Sequence, residues 1–200
     1  MTELTTLLED IRQCRICEPA LPFGARPVLQ CAASARILIA GQAPGSKVHA
    51  SGIPFDDPSG ERLRSWMGID HETFYDPTRI AVVPMGFCYP GSGKSGDLPP
   101  RAECAATWRK PLLQQLPGIE LTLALGQYAQ DYHFDTGAAS LTACVQDWLD
   151  YWPTLLPLPH PSPRNNRWFK QNPWFEIDIL PELKARVNQL LARISHQGAG

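Results

Sequence analysis

Arg36-Ile-Leu-Ile-Ala-Gly-Gln-Ala-Pro-Gly45 decides the reading of the fold, because an unbroken apolar run passes directly into a loop bounded by two glycines. A run this short, closed by Gly and Pro, reads as a strand buried on both faces. The same alternation recurs on the C-terminal side. A helical stretch from about Gly60 to Met67 precedes the apolar strand Ile80-Ala-Val-Val83, and one from Arg101 to Leu116 precedes Glu120-Leu-Thr-Leu-Ala-Leu125. Gly126 to Tyr132 reads as a helix ahead of the strand Thr154-Leu-Leu-Pro-Leu158. Pro181 can open a last helix, Glu182 to Ile194, with Leu183, Val187, Leu190, Leu191 and Ile194 on one face. Leu4, Leu7, Leu8 and Ile11 mark an N-terminal helix in the same way. Strands alternating with helices predict an α/β fold of three layers, αβα, around a central, mostly parallel four-stranded sheet. Such sheets bind ligands beyond the carboxyl ends of their strands, where the loops 41–45 and 159–164 fall.

At 200 residues the chain is the size of one domain, read as spanning 1–200. Hydrophobic residues make up 44% and charged residues 19%, the balance of a folded, soluble protein. A net charge of −2 gives no global pull toward nucleic acid, so any DNA contact needs a local group of Lys and Arg. No apolar run approaches the roughly 20 residues that span a bilayer, and Met1-Thr-Glu-Leu4 lacks the pattern of a secretory signal. These features predict a cytoplasmic monomer with no membrane partner. In a reducing compartment the six cysteines read as free thiols or metal ligands rather than disulfides.

Cys14-Arg-Ile-Cys17 follows the N-terminal helix at once, and Cys88 and Cys104 flank a second irregular segment, Tyr89 to Pro100, rich in Gly, Ser and Pro. Four thiolates at these positions would tie the helix to that loop. A [4Fe-4S] cluster and a four-cysteine zinc site both want four thiolates, so ligand type alone does not separate them. Cys31 and Cys144 read as buried, unligated thiols.

Gly41-Gln-Ala-Pro-Gly45, Gly52-Ile-Pro-Phe55, Ser59-Gly-Glu-Arg-Leu63, Leu125-Gly126 and His160-Pro-Ser162 stand in the same order as the motifs of a known family. With the spacing of the four cysteines, the chain resembles the iron-sulfur (family 4-like) uracil-DNA glycosylases over most of its length. The loop His160-Pro-Ser-Pro-Arg-Asn165 is similar to that of the single-strand-selective branch. The resemblance implies a uracil-DNA glycosylase-like fold, a [4Fe-4S] cluster on Cys14, Cys17, Cys88 and Cys104, with zinc as the alternative occupant, and DNA carrying uracil or another damaged base as the partner. It implies hydrolysis of the N-glycosidic bond, or else a weakly catalytic protein that recognises a flipped base.

By the same resemblance, Gly41, Gln42 and Ala43 surround the flipped base and the attacking water. Phe55 stacks on the base, and Pro84 stands in the base-reading segment. His160 donates a hydrogen bond to the departing base, and Ser162 belongs to the loop that meets the minor groove. Such a pocket must supply both stacking and edge hydrogen bonds, because a base leaves the duplex stack before its glycosidic bond can be reached. Arg164 and Arg167, with Trp168, Phe169 and Lys170, supply basic and apolar side chains suited to phosphate contact and to wedging into the vacated stack. The chain departs from the family where Glu usually stands, at Gln42, and where Asn-x-x-Lys-Cys is replaced by Pro84-Met-Gly-Phe-Cys88. Gln42 can position a water but cannot take its proton, which leaves Asp56 and Asp57 as possible substitutes.

Overall fold

The structure is a computed structural model that describes residues 2–94, 96–134 and 140–197. Its strands are β1 (Ile37–Ala40), β2 (Ile80–Val82), β3 (Ser92–Gly93), β4 (Gly96–Asp97), β5 (Leu121–Leu125) and β6 (Leu155–Leu158). Its α-helices are α1 (Glu3–Gln13), α2 (Ser46–Ser51), α3 (Pro58–Met67), α4 (His71–Tyr75), α5 (Ala102–Cys104), α6 (Lys110–Gln114), α7 (Gln127–His133), α8 (Leu141–Gln146), α9 (Asn166–Gln171) and α10 (Leu180–Gln197). Four strands form a parallel sheet in the order β2-β1-β5-β6, while β3 and β4 make a separate antiparallel hairpin. The three-layer α/β arrangement expected from the sequence is the one observed. Pro157 is accommodated because β6 lies at the sheet edge, where one side of the strand needs no ladder donor.

Both faces of the sheet are covered, which is why its strands read as continuous apolar runs. Ile37, Ile39, Leu121, Leu123 and Leu125 pack with Leu63, Met67, Phe74, Leu183 and Val187. Leu38, Ala81 and Val83 pack on the opposite face with Leu4, Ile11, Phe87, Leu112 and Leu116. Cys31 and Cys144 are buried in the apolar interior. The side chain of Ile194, expected on the inner face of the last helix, lies outside the described residues. Among the described residues, no helix is long and apolar enough to cross a membrane.

Three expected helices have different limits. α3 starts at Pro58 rather than Gly60, because the Asp57 carboxylate accepts the Gly60 N–H at 2.9 Å and Pro58 needs no partner for its missing N–H. The last helix begins at Leu180, one turn position before Pro181. The stretch 101–116 is interrupted by a π-helical turn at Ala105–Arg109, directly ahead of Pro111, which cannot donate a helical hydrogen bond.

That turn carries a fully buried cation. Arg109 Nη1 donates to the carbonyls of Val83 at 2.9 Å and Pro84 at 3.2 Å, and Nη2 donates to His133 Nε2 at 2.6 Å. The guanidinium also stands over the Tyr132 ring, 4.7 Å from its centroid. Burial, reinforced by the adjacent Arg109 charge, lowers the His133 pKa to about 4. An unfolded chain takes up a proton at this histidine near pH 6.5 while the folded one does not, so its effect is to lower stability as pH falls from about 6.5 to about 4. In urea unfolding at pH 7 and pH 4.5, His133→Gln should lose up to about 3 kcal/mol less on acidification than the parent. An equal loss in both proteins would show that His133 titrates normally.

Candidate active site and thiol cavity

Because all four strands of the sheet run the same way, the segments leaving β1, β2 and β6 meet at one edge. There they enclose a cleft of about 340 Å³. Gly41, Gln42, Ala43, Phe55, Pro84, His160, Ser162 and Arg164, all expected at the site from the sequence, line it together. Arg167 does not: it lies exposed on α9, outside the lining. Trp168 and Phe169 are not wedges. Trp168 donates its indole N–H to Thr142 Oγ1 at 2.8 Å, and Phe169 packs edge-on against Trp66. Both side chains are drawn inward because α3 and the segment around Phe175 offer them apolar partners.

His160 is fixed in one orientation and one protonation pattern. The Ser162 backbone N–H donates to its Nδ1 at 3.2 Å, so Nδ1 is the acceptor and neutral imidazole carries its proton on Nε2. Burial lowers its pKa, against the opposing charges of Asp57 and Asp97, and this favours the neutral ring. Asn165 Nδ2 donates to the His160 carbonyl at 2.7 Å. Gly126, with φ of +80°, brings the end of β5 up to His160, where an added Cβ would stand 3.7 Å from the His160 Cβ. Arg62 braces the same loop through Ser162 O at 3.3 Å and Asn166 Oδ1 at 2.8 Å, a role that its place in the sequence did not reveal.

Phe55 is held in a conformation that side chains rarely adopt, with φ of +54°. Gly60 makes this possible, since a Cβ there would lie 1.9 Å from the Phe55 carbonyl oxygen. The phenyl ring meets Phe74 edge-on at 6.2 Å and lies near-parallel to His160, 26° between planes and 6.4 Å between centroids. Helix α3, packed against this backbone at Gly60, thus fixes the Phe55 ring at the cleft wall.

Gln42 faces the cleft, but its amide nitrogen is committed elsewhere: Nε2 donates to the carbonyls of Leu98 at 2.8 Å and Asp97 at 3.5 Å. It ties the β3–β4 hairpin to the loop after β1. Asp56 is exposed and outside the lining, whereas Asp57 lines the cleft while also capping α3. Asp97, from β4, is a second lining carboxylate that the sequence reading did not single out, because no helical or strand periodicity marks that segment. Its flanking glycines, in Gly91-Ser-Gly-Lys-Ser-Gly-Asp97, were the available hairpin signal.

Cys14, Cys17, Cys88 and Cys104, distant in sequence, line a second and more enclosed cavity at the C-terminal end of α1. Burial raises the thiols of Cys88 to about 11 and Cys104 to about 12, and raises that of Cys17, so each needs a bound cation to be a thiolate at neutral pH. Two sulfurs already accept hydrogen bonds, Cys14 Sγ from Trp108 Nε1 and Cys104 Sγ from the Phe87 N–H, both at 3.3 Å. Among the described residues, no three His, Cys, Asp or Glu side chains converge closely enough to hold one metal ion. The four thiols line one cavity, and four thiolates are the donor set that a [4Fe-4S] cluster and a zinc ion both use.

The family model described as Uracil DNA glycosylase superfamily matches residues 29–184, a span that includes the sheet, the cleft and the His160 loop. The chain belongs to the uracil-DNA glycosylase superfamily. At that level it is a protein of the DNA glycosylase type, acting on DNA. The match takes in Cys88 and Cys104 but starts after Cys14 and Cys17. Within this glycosylase fold the Phe55–Gly60 contact is a direct test of the preset cleft. Gly60→Ala should lower unfolding stability by about 1–3 kcal/mol and weaken binding of a base analogue, because the new methyl meets backbone atoms that cannot swing aside. Unchanged stability and binding would show that Phe55 relaxes freely.

Proposed function

We propose that the protein is a monofunctional DNA glycosylase that flips uracil or a related damaged base into the cleft and hydrolyses its N-glycosidic bond. The observation that carries this reading is His160, a neutral imidazole whose only ring proton is on Nε2, at the cleft wall beside the strained Phe55. As the C1′–N bond breaks, its electron pair goes to the base, and Nε2–H stabilises the anionic base oxygen while the sugar gains oxocarbenium character. A neutral donor is suited to this step, since it holds charge on the leaving group without requiring proton transfer. Phe55 supplies a flat apolar wall for the flipped ring. Pro84 has no N–H to offer a base edge, and its carbonyl is held by Arg109, so this wall selects by shape more than by hydrogen bonding. That supports a substrate range wider than uracil. Arg164 at the rim supplies the local positive charge that the net charge of −2 does not.

The purified protein should release uracil, hypoxanthine or xanthine from single- or double-stranded oligonucleotides, read as abasic sites cleaved by alkali. His160→Ala should slow release by ~10²–10³-fold. Tight binding of lesion DNA without an abasic product from any of these substrates would overturn catalysis in favour of a recognition role, which the absence of a carboxylate from the loop after β1 would then explain.

For the thiol cavity the proposed occupant is a [4Fe-4S] cluster held by Cys14, Cys17, Cys88 and Cys104. It would supply binding energy that joins α1 to the segments around Cys88 and Cys104, and no chemistry at the base. The Trp108 and Phe87 donors would remain on sulfur as tuning contacts. Iron and acid-labile sulfide should each be present at about four per chain. Colourless protein with one zinc per chain would displace this assignment.

A further inference from the structure

A glycosylase must hold a water against C1′ on the face of the sugar away from the departing base, and the loop after β1 provides no carboxylate for it. Two carboxylates line the cleft among the described residues, Asp57 and Asp97. Asp57 is already spent in part: one oxygen accepts the Gly60 N–H and holds the start of α3, two residues from the wall formed by Phe55. Asp97 lies on an exposed hairpin and lines the same cleft as Phe55, Pro84 and His160.

The hairpin is built to aim that one side chain. Asp97 Oδ1 accepts the Ser92 hydroxyl at 2.8 Å, and Ser92 in turn shares a hydrogen bond of 2.7 Å with the Tyr89 hydroxyl. The Gln42 amide clamps the backbone at Asp97 and Leu98. Oδ2 is left over and faces the loop after β1, 3.4 Å from where a Cβ on Gly45 would stand. Arg164 reaches the same hairpin at Gly96, so a cation flanks a carboxylate that would otherwise repel DNA phosphates.

We infer that Asp97 is the catalytic carboxylate that orients and deprotonates the attacking water, with Gln42 and Ser92 as positioning residues that hold the hairpin against the cleft. The inference rests on the glycosylase reading. In the step, the C1′–N bond breaks with its electron pair leaving on the base next to His160. The water oxygen then bonds to C1′, and its proton passes to Asp97 Oδ2 and on to solvent, while the base anion takes a proton from solvent. The role that the family's glutamate would fill at position 42 is transferred to the residue whose backbone the Gln42 amide clamps.

Single-turnover base release and the Kd for an oligonucleotide carrying a non-cleavable 2′-fluoro lesion nucleotide test this together, with the protein as purified. Asp97→Asn keeps the acceptor for Ser92 and removes the base; it should slow release by ~10²-fold or more while Kd changes less than about threefold. Asp57→Asn keeps the cap on α3 and removes the competing carboxylate; it should slow release less than Asp97→Asn does. Gln42→Ala should slow release by roughly tenfold with Kd unchanged, the mark of a misplaced rather than a missing carboxylate. An Asp97→Asn variant that releases base at the parent rate overturns the inference and leaves the glycosylase reading intact. So does a loss confined to Kd, or a loss that appears with Asp57→Asn instead. A parent protein that releases no base overturns both.

Discussion

The parallel alignment of four short strands is the constraint on which the rest of the molecule depends. With β2, β1, β5 and β6 all pointing one way, every strand exit is delivered to the same edge of the sheet, and residues more than a hundred positions apart become neighbours. The order of the strands adds a second effect. The chain leaves β1 for one side of the sheet and returns through β5 on the other, so a crevice opens where these directions diverge, and Gly126, with φ of +80°, allows the chain to turn there.

Rigidity at this edge comes from contacts behind the cleft. Arg62 and Asn165 hold the loop of His160, Gly60 locks the backbone of Phe55, and Arg109 pins the carbonyls of Val83 and Pro84 from the buried side. None of these groups needs to touch a ligand. Together they fix a stacking wall and a hydrogen-bond donor before any ligand arrives, and preorganised dipoles stabilise developing charge without reorganising during the reaction. Buried Arg109 fits the same logic: among the described residues, carbonyl dipoles and the Tyr132 ring stand where a counter-ion would.

The two cavities are joined through one segment. Cys88 and Cys104 bracket the stretch that contains the β3–β4 hairpin, and Asp97 lies on that hairpin. A group held by all four thiols would anchor both ends of this Pro- and Gly-rich segment, shorten the free loop between them and reduce the entropy lost when the hairpin is held against the cleft. Through such a group the cysteines would bear on the site by the geometry of the chain alone.

The sequence by itself determined the α/β class, the number of strands in the main sheet and most of the cleft, because each of these is written in local patterns. Apolar runs mark buried strands, glycine and proline mark loop entries, and Gly41, Gln42, Phe55 and His160 stand beside those marks. Only the tertiary structure decided which polar groups are free to act. It committed the Gln42 amide to the hairpin, packed Trp168 and Phe169 against the core, set Arg167 outside the cleft and brought Asp97 into it. Each outcome is a contact between segments far apart in the chain, and periodicity records which face of an element is apolar but carries no information on which distant partner its polar atoms will meet.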